Sequence, residues 1–345
     1  MKSEKIENAP IDVVVPMVFP QDVQWQQEFN RHRGNHTDVM RNVRFRSWNT
    51  EELLVQCVRK NMPWVRYIHI LLACESQVQK WMRRMTGADS MDSSAPSVAP
   101  SDEGPQVRIV YHREFIPPEH LPCFSSPCIE MFLHLIPDLS EHFIYANDDM
   151  FPLSPLERED FFRPVEGGAE AEGFWRRMSR IFTDKPVVYY PCQRMSERPF
   201  PANPNIFQRK CMYQQNMVGA PFGRKLTTTW LKNGHSFAPI LKSSCEEVWR
   251  RHGEEILRYI SPLKRTDRSY NHYIYLLYQY FSGRTIDHAP REQYIGRGTP
   301  TEDIAEVIRD TKAGIVCLND NEHIADWERR ASIVRKEIML RLKRE

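Results

Sequence analysis

The feature that most constrains the fold is a regular alternation of short apolar runs with segments of helical spacing. In chain order these patterns cover residues 11–19, 50–61, 67–73, 107–111, 127–136 and 142–148. The second and fifth are helical and the others are typical of buried strands. Strands that alternate with helices in this way form mostly parallel sheets covered by helices. We therefore predict an α/β fold with a Rossmann-like sheet.

The second half of the chain is richer in helical patterns. After a strand pattern at 186–190, helical spacing covers 204–217, 243–259, 268–281 and 302–311. An apolar run at 314–320 predicts a strand that returns to the same sheet. Residues 322–345 predict an amphipathic helix with a basic end, which suits the negative end of the helix dipole.

The composition favours a single domain over residues 11–321. A chain of 345 residues with 41% hydrophobic residues can bury a large core. We expect residues 1–10 to be flexible. Residues 86–105 are rich in Ser, Ala, Pro and Asp, so we predict a disordered insertion in a surface loop.

Charge and hydropathy exclude several classes of protein. The formal net charge of +2 argues against a nucleic-acid binder, and no apolar run approaches the ~20 residues that span a bilayer. The first ten residues carry no apolar segment typical of a signal peptide. We expect a cytoplasmic protein for the chain as written, and a Golgi or secretory lumen if it is truncated.

The strongest candidate for chemistry is Asn147-Asp148-Asp149, which ends an apolar strand pattern. In open α/β sheets, ligands bind beyond the carboxyl ends of the strands. Adjacent carboxylates repel each other unless a cation or a shared proton intervenes. Mg²⁺ suits this position because it is held by one or two carboxylates together with substrate phosphates. The alternative is an acidic turn that caps the next helix.

Other polar residues could complete such a site. They are Asn319 and Asp320 after the strand pattern at 314–320, Arg44 and Arg46 before the helix at 50–61, His235 in a loop between two helices, and Arg265 and Arg268 in a basic cluster. Arginines and helix N-termini bind phosphate well. Each also has a plain structural interpretation, as a turn, a solvated arginine or a packed histidine.

The eight cysteines form no Cys-x-x-Cys pair and mostly lie in apolar stretches. We interpret them as small buried residues rather than zinc ligands or a disulfide framework, although one or two bridges remain an alternative.

Four blocks in the same order resemble the Stealth family, which includes bacterial capsular polysaccharide hexose-1-phosphate transferases and the GlcNAc-1-phosphotransferase catalytic subunit. The first block is Ile11-Asp12-Val13-Val14-Val15 with Asp22 and Trp25. The second runs from RFRSWNTEELL through HREFIPPEHLPCFSSPCIE to FIYANDDMF. The third contains His235, Pro239, Arg265 or Arg268, and Gly283, and the fourth is CLNDN. The chain departs from the family pattern at Met17-Val18-Phe19-Pro20, at Ser125-Ser126-Pro127-Cys128 and near Asn271.

The resemblance implies a glycosyltransferase-A-like fold and a specific reaction. Such enzymes transfer hexose-1-phosphate from a nucleotide-sugar donor to a hydroxyl of a glycan or glycoprotein acceptor. A phosphodiester forms and nucleoside monophosphate leaves. The alternatives are an ordinary metal-dependent glycosyltransferase and a non-catalytic glycan-binding relative. A homodimer is compatible with this interpretation.

The resemblance also implies roles for individual residues. Asp148 or Asp149 would hold Mg²⁺ or Mn²⁺ or take the acceptor proton, and Asp320 would complete the diphosphate or metal site. His235, Arg265 and Arg268 would stabilise the transferring phosphoryl group. The implied substrate-binding residues are Asp12, Arg44, Arg46, Asn49, Glu52, Ser125, Ser126, Asn147, Asn271, Asn319 and Asp320.

Overall fold

A computed structural model of the chain describes residues 9–34, 46–87, 104–165, 188–264, 268–320 and 324–344. Most of the predicted flexible segment 1–10 and of the predicted insertion 86–105 lies outside these ranges. Arg44 and Arg265 also lie outside the described residues.

The described residues form twelve strands. They are β1 (Ile11–Pro16), β2 (Tyr67–Leu72), β3 (Gln106–Tyr111), β4 (His142–Tyr145), β5 (Met150–Pro152), β6 (Phe162–Pro164), β7 (Tyr189–Pro191), β8 (Met195–Pro199), β9 (Thr229–Asn233), β10 (Ala238–Leu241), β11 (Glu292–Ile295) and β12 (Ile315–Leu318). The central sheet has the order β10-β4-β1-β2-β3. Its strands β1 to β4 run parallel, and β10 is antiparallel to β4. The predicted mostly parallel, Rossmann-like sheet is confirmed.

Helices cover both faces of this sheet. The α-helices are Val23–Arg33, Glu51–Asn61, Lys80–Thr86, Ser126–Met131, Ile206–Gly219, Lys242–Tyr259, Tyr273–Phe281, Ile304–Asp310 and Trp327–Leu342. Side chains of successive β1 residues enter two different cores, as strand pleating requires. Val13 and Val15 pack with residues of the helices Glu51–Asn61 and Trp327–Leu342. Val14 packs instead with residues of Lys242–Tyr259 and Tyr273–Phe281.

The predicted helix at the C-terminal end is present as Trp327–Leu342. Its apolar face is buried at Ala331, Val334 and Ile338. Near its end, the Arg341 guanidinium donates hydrogen bonds to the carbonyl oxygens of Leu153 (2.8 Å) and Ile308 (2.7 Å). The basic end of the helix therefore anchors it to neighbouring segments. No helix among the described residues is both long and apolar enough to span a membrane.

Two sequence predictions about the second half are wrong. Strand β12 does not rejoin the central sheet. The edge beside β4 is already filled by β10, and β12 pairs with β5 and β11 in a separate three-stranded sheet. His235 lies in the connection between strands β9 and β10, not between two helices. The apolar runs of β9 and β10 are too short to form a recognisable periodic pattern, so these two strands were not predicted.

Two helices also differ from the sequence prediction. The helix predicted from residue 268 begins only at Tyr273. The helix Val23–Arg33 was not predicted, although Asp22 caps its start by accepting a hydrogen bond from the Trp25 backbone N–H (2.6 Å).

Candidate active site

The two acidic strand ends that the sequence singles out lie side by side. Strand β4 runs into Asn147-Asp148-Asp149, and β12 runs into Asn319-Asp320. Pairing of β5 with β12 sets Met150 opposite Cys317. The Leu318 backbone N–H donates to the Asp149 carbonyl oxygen at 2.8 Å. Backbone pairing therefore holds the two acidic segments together.

A cavity of about 160 Å³ opens between these segments. Its walls come from four parts of the chain: Val18 and Pro20; Arg46, Ser47, Trp48, Thr50 and Glu51; Asp148 and Asp149; and Leu318 and Asp320. Val18 and Pro20 belong to the turn at which the sequence departs from the Stealth pattern. The altered turn is therefore a wall of the cavity, where it would contact a bound ligand.

Asp320 is held firmly by two donors on the opposite wall. The Arg46 guanidinium donates hydrogen bonds to both carboxylate oxygens of Asp320, with its Nε 2.8 Å from Oδ2. The Trp48 indole N–H donates to the same Oδ2 at 3.0 Å. Arg46 also lies over the Trp327 ring, 4.9 Å from its centroid. Metal coordination by Asp320 would therefore use the lone pairs that these donors leave.

The surroundings of Asp148 disfavour ionisation of its carboxyl group. Burial, together with the negative charges of Asp149 and Glu51, raises the pKa of Asp148 to about 8. The Oδ1 atom of Asp149 is buried without a hydrogen-bond partner among the described residues. A divalent cation would relieve both conditions, so these two residues fit a metal such as Mg²⁺.

His235 lies next to Asp149. Its backbone N–H donates to the Tyr294 hydroxyl at 2.5 Å, which fixes the β9–β10 connection against β11. Its Nε2 is 3.8 Å from Asp149 Oδ2. Burial opposes a charged imidazole, but the carboxylates of Asp149, Glu292 and Glu130 outweigh it and raise the pKa of His235. The side chain can thus present a positive charge or an N–H donor beside the acidic pair.

Three possible metal ligands meet at this point. Ligand atoms of Asp149, His235 and Cys317 all lie within 4.8 Å of one another. The sequence interpretation of Cys317 as a small buried residue is correct for its burial. The same interpretation did not predict that Cys317 lies near Asp149 and His235, because this proximity depends on the pairing of β12 with β5.

Behind the acidic pair, a buried hydrogen-bonded group orients Asn147. The Tyr145 hydroxyl donates to Asn147 Oδ1 at 2.9 Å, and the Tyr145 ring packs on the His272 ring at 4.4 Å between centroids. His272 Nδ1 lies 2.7 Å from Glu130 Oε2, which also accepts the His272 backbone N–H at 2.8 Å. Burial would raise the pKa of Glu130, but its contacts with His272 and the charge of Lys210 leave that pKa below the ordinary value.

Sequence reasoning did not select Glu130 or His272. The available signal was that Glu130 is the only carboxylate in the apolar helical pattern at 127–136. A carboxylate there must be paired if it is buried.

Residues 44–169 match the family model described as Stealth protein CR2, conserved region 2. This chain carries conserved region 2 of the Stealth family. It is 31% identical over 268 residues to the capsular polysaccharide phosphotransferase fcs1 of Haemophilus influenzae, covering 75% of this chain and 63% of that protein. It is 30% identical over 282 residues to the capsular polysaccharide phosphotransferase LcbA of Neisseria meningitidis, covering 80% and 66%. The chain thus spans a little less than two thirds of each of these relatives.

A third relative matches over almost its whole length. The capsular polysaccharide phosphotransferase WcwK of Streptococcus pneumoniae is 24% identical over 346 residues, which covers 94% of both chains. The matched Stealth region contains the cavity residues Arg46 to Glu51 and the acidic pair.

One residue predicted to bind substrate lies away from the cavity. Asp12 is at the amino end of β1, whereas the cavity is beyond its carboxyl end. Its buried carboxylate accepts hydrogen bonds from Arg66 (2.7 and 2.9 Å) and from the Ser140 backbone N–H (2.9 Å). Burial works against ionisation, but these donors and His69 hold the pKa of Asp12 well below its usual range. These contacts make Asp12 a structural residue.

Two further predicted residues make local contacts near the start of the helix Glu51–Asn61. Asn49 has a left-handed backbone conformation (φ 52°), and its N–H donates to Ser47 Oγ at 2.9 Å. The half-buried Glu52 carboxylate lies 3.5 Å from Arg84. Neither residue is part of the cavity wall.

The remaining predicted residues lie in three places: beside the buried Glu130 group, against the Tyr213 ring, and after strand β12. Ser125 precedes the helix that carries Glu130, and its Oγ is buried without a partner among the described residues, as is Asn271 Oδ1. Ser126 is the first residue of that helix. The Arg268 guanidinium lies over the Tyr213 ring at 4.0 Å. The Asn319 backbone N–H donates to the Ile295 carbonyl oxygen at 2.8 Å.

Proposed function

We propose that this chain transfers a hexose-1-phosphate from a nucleotide-sugar to a hydroxyl of an acceptor glycan. The observation that carries this proposal is the meeting of Asp148 and Asp149 with His235 at the edge of one cavity. The relatives named as capsular polysaccharide phosphotransferases support the same class of reaction.

In the proposed reaction, the acceptor oxygen attacks the β-phosphorus of the donor. The bond from that phosphorus to the bridging oxygen breaks, and nucleoside monophosphate leaves with the bond electrons. The acceptor proton passes to the carboxylate of Asp148 or Asp149. A phosphodiester between two sugars remains, so atoms and charges balance.

The residues of the cavity suit the demands of phosphoryl transfer, which are positioning and charge stabilisation. Mg²⁺ or Mn²⁺ held by Asp148 and Asp149 would neutralise charge on the donor diphosphate. His235 would donate an N–H to a phosphoryl oxygen as negative charge develops. Arg46 and Trp48 would hold the Asp320 segment in register, and Arg265 and Arg268 remain the proposed phosphate-binding arginines of the third block.

The proposal is tested with a panel of nucleotide-sugars, an acceptor glycan and Mg²⁺, read by mass spectrometry. A sugar-phosphate added to the acceptor and free nucleoside monophosphate would support it. A sugar added without phosphate, with release of nucleoside diphosphate, would instead identify an ordinary glycosyltransferase. Donor binding without any product would indicate a non-catalytic relative, for which the altered turn at Met17–Pro20 is the supporting feature.

The role of His235 is tested by His235→Ala. Loss of one donor to the phosphoryl group should lower kcat about a hundredfold and leave the melting temperature nearly unchanged. The control is His32→Ala, because His32 lies on the helix Val23–Arg33 with its ring against Glu28 and outside the cavity wall. Near wild-type turnover in a folded His235→Ala protein would remove His235 from the mechanism.

A further inference from the structure

The three ligand atoms that meet beside the cavity differ in chemistry from a magnesium site. Asp149 offers a carboxylate oxygen, His235 an imidazole nitrogen and Cys317 a sulfur, all within 4.8 Å of one another. Mg²⁺ takes oxygen ligands in octahedral geometry. A mixed set of oxygen, nitrogen and sulfur is typical of Zn²⁺, which favours thiolate and imidazole in tetrahedral sites.

The spacing of these atoms is close to that of a tetrahedral site. Zinc bonds of about 2.0–2.3 Å place neighbouring ligand atoms about 3.3–3.8 Å apart in a tetrahedral site. The separation of His235 Nε2 from Asp149 Oδ2 is 3.8 Å. One ligand atom from each of Asp149, His235 and Cys317 lies within 4.8 Å of the other two. Side-chain movements of about 1 Å would therefore close the site around an ion. Three protein ligands leave the fourth position for water or another ligand.

Backbone contacts hold all three ligand-bearing segments in place. The Asp149 carbonyl oxygen accepts the Leu318 N–H at 2.8 Å, directly beside Cys317. The His235 backbone N–H is bound to the Tyr294 hydroxyl on β11. Since β11 and β12 are adjacent strands, the same small sheet supports both His235 and Cys317.

A second observation also points to a bound ion. Asp149 Oδ1 is buried and has no hydrogen-bond partner among the described residues. Leaving a buried carboxylate oxygen unsatisfied is costly, and a cation beside it would remove that cost.

We propose that Asp149, His235 and Cys317 form a Zn²⁺ site whose occupation switches off phosphoryl transfer. The inhibitory part rests on the proposed function, whereas the binding part does not. Zinc would take Asp149 away from Mg²⁺ and occupy the Nε2 atom of His235, which could then no longer donate to a phosphoryl oxygen. As the sulfur–metal bond forms, the Cys317 thiol releases its proton to solvent.

Binding is tested on the 345-residue chain, purified metal-free in a phosphine reductant, by titration with Co²⁺. One equivalent should produce the near-ultraviolet charge-transfer band of a thiolate–cobalt bond. Zn²⁺ should displace the band, and a large excess of Mg²⁺ should not. Cys317→Ser should abolish the band, whereas Cys74→Ser should retain it, because Cys74 lies at the Glu75–Gln77 turn with its sulfur against Ser76. A band that persists in folded Cys317→Ser, or its absence from the wild type, would overturn the proposal.

A second variant keeps the binding test decisive if Cys317→Ser fails to fold. His235→Gln leaves the thiol in place and should weaken Co²⁺ binding at least about tenfold. Unchanged Co²⁺ affinity in this variant would refute the site.

The inhibitory role is measured separately. Zn²⁺ should inhibit Mg²⁺-supported turnover of the wild type and of Cys74→Ser but not of Cys317→Ser. Equal inhibition of all three would refute the switch. If the chain shows no transfer with any donor, the proposed function fails, and the cobalt titration still decides whether the metal site exists.

Discussion

Binding of Mg²⁺ to the acidic pair should release a proton, because the pKa of Asp148 is raised to about 8 by burial and by the charges of Asp149 and Glu51. A group with that pKa is about nine-tenths protonated at pH 7, so each bound ion should release about 0.9 proton. The apparent affinity for Mg²⁺ should rise about ninefold from pH 6 to 7 and about fivefold from pH 7 to 8. Above pH 9 it should be nearly constant.

Proton release is measured by isothermal titration calorimetry of Mg²⁺ in two buffers that differ in ionisation enthalpy. The slope of observed enthalpy against buffer enthalpy gives the number of protons. Glu51→Gln is the matched control, because it removes one of the charges that raise the Asp148 pKa but leaves both carboxylates of the pair. In the Glu51→Gln variant, the rise of Mg²⁺ affinity with pH should occur at lower pH, and fewer protons should be released at pH 7. Tight Mg²⁺ binding with no buffer dependence and a flat profile between pH 6 and 8 would refute the reasoning.

Three other changes have defined outcomes. Glu130→Ala should lower the free energy of unfolding by about 3–5 kcal/mol in urea titrations, since it leaves His272 buried without its partner. Because folding lowers the pKa of Glu130, the difference in stability between wild type and variant should be full above pH 4.5 and should disappear in acid. A difference under 1 kcal/mol would contradict the pairing. Asp320→Asn should lower the free energy of unfolding by about 1.5–3 kcal/mol, because charged hydrogen bonds to Arg46 are lost, and should weaken binding of the nucleotide-sugar. Unaltered stability and affinity would contradict this role of the contact. Deleting residues 88–103, which are rich in Ser, Ala, Pro and Asp, should leave the melting temperature unchanged, whereas loss of cooperative unfolding would show that the segment packs.

The central strands could be predicted because they are buried on both faces. Runs such as Ile11–Val15 and Tyr67–Leu72 are almost continuously apolar, which marks a strand of a parallel sheet covered by helices. Strands β9 and β10 could not be found in this way. Strand β9 contains only the apolar pair Trp230-Leu231, which establishes no period. Strand β10 is a run of four apolar residues that includes Pro239, and proline argues against a strand.

The acidic residues of the candidate site were predictable because strand ends expose them beyond a run of apolar residues. The contacts that complete the site were not, because they join positions far apart in the chain. Arg46 meets Asp320 only through folding, and Cys317 reaches Asp149 only because β12 pairs with β5. The residues around each partner in the sequence carry no pattern that would predict these long-range contacts.

The pairing of β12 with β5 also has a consequence for biosynthesis. Ile315 pairs with Pro152, so the two partners leave the ribosome about half a chain length apart. Domains fold progressively from the N-terminus during synthesis, and contacts between distant segments form late. The four parallel strands can therefore assemble while the Asp149 edge still lacks Cys317 and Asp320. A nascent chain halted before Ile315 would carry a folded sheet and an open cavity. The proposed phosphoryl transfer would then begin only after that strand has been translated.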